Sequence, residues 1–191
     1  MKRIAILLVV TALLMAPSFG AANPNGVGEG TFDAQCGGAC HGDADMNRTS
    51  ASTVSLEVPT EVYEGLLTSV SVTVTGVQTT STGVLGIFLL SDVTGAEDTP
   101  EDDGWTIVSN SEGGTQNYAE VVVAPGVMEH TVEWTLRAPN VGEYQLHAAI
   151  HHGTQDGSGA PFFGVTEAPV AVEVQPVPAN LPRLSDDFQA P

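Results

Sequence analysis

Two cysteines and a histidine stand together in Cys36-Gly37-Gly38-Ala39-Cys40-His41, and these are the only cysteines in the chain. Two neighbouring thiols can add across the two vinyl groups of a haem, and a histidine directly after the second can offer its imidazole to the iron. The usual spacing for that chemistry is C-x-x-C-H; here three residues separate the thiols. A haem bound in this way, one haem c per chain, has Cys36 and Cys40 as thioether anchors and His41 as proximal ligand. The competing reading is a Cys36–Cys40 disulfide closing a small loop, which leaves His41 without a role.

A second axial ligand is most often an imidazole, with methionine the common alternative. The other histidines are His130, His147, His151 and His152, and three of them crowd into Leu146-His147-Ala148-Ala149-Ile150-His151-His152. On an extended strand Tyr144, Leu146, Ala148 and Ile150 face a core, while His147 and His151 face the other way with small Ala149 between them. Four residues of strand span about 13 Å, too far for His147 and His151 to share one metal unless the strand bends at His151. We therefore expect a single distal ligand. His151 is favoured because it lies near the expected strand end, where a haem carried by a loop can approach. His147 and His152 are the alternatives. Met46 is too close to His41 to reach the far haem face, and nothing supports Met128.

What must position these residues begins with export. Lys2 and Arg3, the apolar run Ile4 to Met15 and the small residues that follow have the pattern of a signal peptide over residues 1–22. Outside the cytoplasm nearby thiols end as a disulfide or are captured by a cofactor, and covalent haem attachment belongs there too. The expected location is secreted, extracellular or at the cell surface, with no membrane span after cleavage. Three arginines against 23 acidic residues leave the processed chain at −20, with no lysine. Such a surface repels nucleic acid and anionic lipid. It suits basic partners, divalent cations or high salt.

Residues 23–51 read as a glycine-rich lead-in carrying the haem-attachment segment. From Ser52 the period becomes two. Val54-Leu56-Val58, Val70-Val72-Val74 and Val132-Trp134-Leu136 alternate with polar residues, and Val84 to Leu90 is a nearly continuous apolar run suited to a central strand. Shorter strands are expected from Trp105 to Val108 and Ala119 to Val123, with a last one from Val165 to Val174. About eight strands and no amphipathic helix predict an all-β, antiparallel sandwich over residues 52–176. A Pro-rich tail, 177–191, follows. The acidic stretch Asp92 to Gly104 lacks the order of an EF-hand and reads as a solvated loop.

Gly28-Glu29-Gly30-Thr31 with Cys36, Cys40, His41 and Gly42 resembles the short haem-binding segment that precedes a reelin-like, immunoglobulin-type sandwich in some exported prokaryotic proteins. Val70 to Val74, Gly83 to Leu90, Trp134 to Pro139 and Gly142-Glu143-Tyr144 to Ala149 look similar as well. The resemblance implies an exported monohaem c-type cytochrome with an immunoglobulin-like β-sandwich and an N-terminal haem-binding loop segment. This chain departs from it in the extra residue between the cysteines and in His151 and His152, where small polar residues are expected.

The expected function is electron transfer through one haem with bis-histidine ligation, without catalysis. A single haem then needs redox partner proteins, basic ones by charge, or self-assembly into an oligomer or polymer that stacks haems. Two alternatives differ in class. One is a cofactor-free adhesion or surface module; the other is a copper or zinc protein using His147, His151 and His152.

Overall fold

The computed structural model describes residues 48–79, 82–92, 99–154, 162–166 and 168–179. The described residues form eleven strands, β1 (Arg48–Thr49), β2 (Thr53–Glu57), β3 (Val62–Tyr63), β4 (Leu67–Thr79), β5 (Gly83–Leu90), β6 (Thr106–Asn110), β7 (Tyr118–Val123), β8 (Gly126–Arg137), β9 (Gly142–Thr154), β10 (Phe162–Val165) and β11 (Val170–Gln175). One short 3-10 turn, Pro100–Asp103, interrupts them. The strands make two sheets, as expected for an all-β, immunoglobulin-like sandwich.

One sheet runs β2-β4-β8-β6. The other is centred on β9, which pairs with β5 along one edge and with β11 and then β10 along the other; β7 extends it beyond β5. Pairing is antiparallel except where β1 joins β10 and β3 joins β11. The chain visits β6 in the first sheet before returning to β7 in the second. The core lies between the sheets, with Val72, Val132, Trp134 and Leu136 from one meeting Leu85, Ile87, Leu89, Leu146, Ala148 and Ile150 from the other.

Local chemistry explains several details. In β4 the buried positions are Val70, Val72 and Val74, and then Val77. Gly76, at φ 77°, takes up one extra residue where the β4–β8 register shifts, so the alternation changes parity and still points inward. At the turn before β9 the Tyr144 hydroxyl donates to the Asn140 carbonyl at 3.0 Å. A tyrosine reaching back over its own turn is the corner device of immunoglobulin-type sandwiches. Its ring also meets Trp105 edge-on at 5.8 Å.

Two expectations about strands are corrected. Val165 to Val174 is not one strand: β10 pairs with Ala149–His152 and β11 with Gly142–Leu146. Thr166 bridges the gap, its N–H donating to the Ala148 carbonyl at 2.9 Å. Trp105 is not in a strand but just ahead of β6, where it is buried. Pairing also starts earlier than the alternating pattern, with Arg48–Thr49.

Candidate functional site

Strand alternation builds two different faces on β5 and β9. Odd residues of β5 and even residues of β9 enter the sandwich core. Val84, Phe88, Leu90 and Ala149 point to the opposite face and are nevertheless buried, outside the core cluster. All eight residues of β5 are buried. A sheet covered on both sides reads as a continuous apolar run rather than an alternation.

His147 and His151 lie on this second face, 8% and 2% exposed, with Ala149 between them. The local parity is as expected, and both side chains are buried. His151 is also not at the end of its strand, since β9 continues to Thr154. It pairs with Gly86 on one side and Phe163 on the other, and its ring meets Phe88 edge-on at 5.2 Å. His147 pairs with Leu90. Burial lowers the pKa of His147, partly offset by the Asp92 carboxylate. Its Nδ1 is buried with no hydrogen-bond partner among the described residues.

His152 points the other way. It is 6% exposed, sits 2.8 Å from Ser50 Oγ through Nε2 and stacks on Phe162 at 5.0 Å, nearly parallel. Burial holds its pKa below the ordinary imidazole range. It therefore cannot join His147 and His151 on their face. Cys36, Cys40 and His41 lie outside the described residues, as do Met46 and the signal segment.

Sequence reasoning missed two residues here. Glu120 of β7 pairs with Gly86, which pairs in turn with His151. The carboxyl and the imidazole thus share a face, with a glycine on the strand between. Glu120 Oε1 is buried without a partner among the described residues, and burial raises its pKa. A lone carboxylate inside the Ala119–Val123 apolar run was the available signal. Ser50 carried none, because its partner is 102 residues away.

No three His, Cys, Asp or Glu side chains among the described residues come together as a metal site. Asp92, Asp102, Asp103, Glu143 and Glu173 line an open groove of about 850 Å³ beside Tyr144. Among the described residues no helix is long and apolar enough to cross a membrane.

No family model matches the chain, and no curated protein matches it. Among solved structures, the C-terminal domain of Wzt is similar at 12% identity and a TM-score of 0.39, over 75% of this chain and 87% of that one. The CARDB domain of the PF1109 protein from Pyrococcus furiosus, solved in complex with di-metal ions, is similar at 12% identity and a TM-score of 0.33, over 64% of this chain and 92% of that one. At these scores neither likeness carries a ligand or a role over to this chain.

Proposed function

We propose that this protein is an exported, non-enzymatic electron carrier. It holds one haem c through Cys36 and Cys40, with His41 as proximal and His151 as distal ligand. The observation that supports His151 is the register of β1. Thr49 pairs with Phe163, which pairs with His151, so the backbone at Thr49 lies two strand spacings, about 10 Å, from His151. His41 is eight residues earlier, within about 27 Å of extended chain. β1 runs antiparallel to β9 and enters from the His152 end. His147 is about 13 Å further in the direction away from that entry.

Around His151 the second face is mostly apolar, interrupted by the Glu120 carboxyl. Phe88, Leu90 and Ala149 are uncharged and buried, and Gly86 and Ala149 offer little bulk beside His151. Haem, when bound, supplies a one-electron couple. His151 would offer its imidazole to the iron from a buried face that also carries the Glu120 carboxyl beyond Gly86, and with a second imidazole from His41 the iron would keep no open position for oxygen chemistry. The acidic surface suits a basic redox partner.

Expression with a haem-attachment system and a pyridine haemochrome spectrum test the proposal. One haem per chain, lost in Cys36→Ala and Cys40→Ala, is the expected result. A colourless protein with an intact Cys36–Cys40 disulfide would overturn it in favour of a cofactor-free surface module.

A further inference from the structure

β5 ends at Leu90, opposite His147, while β9 runs on to Gly142. The open groove of about 850 Å³ begins where β5 stops. Its floor is β9 and β11, and its wall is Ser91 and Asp92 with the 3-10 turn. Hydrogen bonds fix that wall. Ser91 Oγ donates to the Thr99 carbonyl at 3.0 Å, and the Thr99 N–H donates to Asp102 Oδ2 at 2.9 Å. On the floor Glu143 and Glu173 are exposed and stand directly opposite each other across β9 and β11. Like charges so placed oppose strand pairing, and a cation between them offsets that. No Lys or Arg among the described residues lines the groove. A solvated face accounts for carboxylates alone, but not for His147. This side chain is on the same face of β9 as Glu143 and Gln145, two residues beyond Gln145 of the floor. It is 8% exposed, and its Nδ1 is buried without a hydrogen-bond partner among the described residues. Burial lowers its pKa, and Asp92 of the groove wall works against that, so the ring lies within electrostatic reach of the wall. A buried ring nitrogen left unpaired destabilises the fold until a ligand completes it.

We propose that this groove binds a linear organic polycation, a chain carrying two or more spaced ammonium or guanidinium groups. Glu143 and Glu173 take one cationic group, and Asp92 with His147 Nδ1 as acceptor takes another. Glu143 and His147 are about 13 Å apart along the strand, so a single cation cannot serve both ends, whereas spaced cationic nitrogens can. A metal ion fits less well. It needs donors converging at about 2.0–2.6 Å, and no three His, Cys, Asp or Glu side chains among the described residues come together. Spaced cationic nitrogens come from two sources, a free aliphatic polyamine or a Lys- and Arg-bearing segment of a partner protein. The site stands apart from the haem proposal, since none of these residues is assigned to the iron there.

Calorimetric titration of the full chain tests this with three probes: spermidine, a peptide of alternating Lys and Gly, and Zn²⁺ alone. The wild type is expected to bind at least one of the two polycations. Spermidine alone points to a free polyamine and the peptide alone to a partner segment, and either result supports the site. The double variant Glu143→Gln/Glu173→Gln should weaken binding about fivefold to tenfold, the effect of two lost exposed ion pairs. Glu57→Gln/Glu129→Gln removes the same charge from the other sheet and should weaken it less than about twofold. His147→Phe keeps an apolar ring of similar size and should weaken binding about fivefold, the effect of one lost hydrogen bond. If that variant fails to fold, Asp92→Asn reads the same end of the groove. Equal losses in the two double variants would overturn the site in favour of general charge attraction. Unchanged affinity in His147→Phe, or in Asp92→Asn where it stands in, would overturn the assignment of the second cationic group. Binding of Zn²⁺ with neither polycation bound would overturn the proposal in favour of a metal.

Discussion

His151 and Glu120 sit in register across Gly86, on the face of the β5–β9 sheet turned away from the sandwich core. A buried imidazole and a buried carboxyl oxygen thus share one surface with Phe88 and Ala149.

The two histidines of that face are expected to behave differently. In the haem-loaded protein, His151→Ala should convert a low-spin absorption spectrum to high-spin, whereas His147→Ala should leave it low-spin. Optical and electron paramagnetic resonance spectra check this. The reverse pattern would move the distal ligand to His147.

Glu120 and His152 set opposite pH dependences of stability. Burial raises the folded pKa of Glu120, so its neutral form is favoured in the fold. The benefit of that form is present below the unfolded carboxyl pKa and is lost as pH rises through the folded value. Glu120→Gln should therefore be more stable than wild type at pH 7, and the difference should shrink towards pH 4. Burial lowers the folded pKa of His152. Its contribution is complete above the unfolded imidazole pKa, about 6.5, and declines as pH falls through the folded value. Urea titrations of the wild type, Glu120→Gln and His152→Gln between pH 4 and pH 8 measure the two slopes.

Tyr144→Phe keeps the ring against Trp105 and removes one hydrogen bond, from the Tyr144 hydroxyl to the Asn140 carbonyl. The expected loss is about 1 kcal/mol. Denaturant unfolding should show a lower midpoint with an unchanged slope.

Gly83→Ala tests the close approach of β5 to β9. A Cβ at Gly83 would collide with the Gly153 carbonyl, a backbone atom that no rotamer change can move aside. The strands must part locally, at a cost of about 1–3 kcal/mol. Gly113→Ala is the control: its site is open, although its φ of 88° is strained for any side chain, so its cost should be about 1–2 kcal/mol. Thermal unfolding compares them, and Gly83→Ala should additionally speed hydrogen exchange at Gly153 and Thr154.

Much of the fold was legible because strand alternation is a local property. Val70-Val72-Val74 and Val132-Trp134-Leu136 announce their inward faces, and the unbroken run of β5 announces a strand covered on both sides. The division of the last strand was not legible. It depends on β9 being long enough to take two partners in succession, with Thr166 bridging them at Ala148.

For the candidate site, the chain by itself determined direction: His147 and His151 on one side of β9, Leu146, Ala148 and Ile150 on the other. It also determined the thiol and imidazole types at Cys36, Cys40 and His41. Only the tertiary structure decided that the histidine face is buried, that Glu120 shares it and that His152 belongs to Ser50. Direction follows from backbone geometry within two residues. Burial and partnership depend on strands brought together from as far as 102 residues apart, and no local pattern encodes that distance.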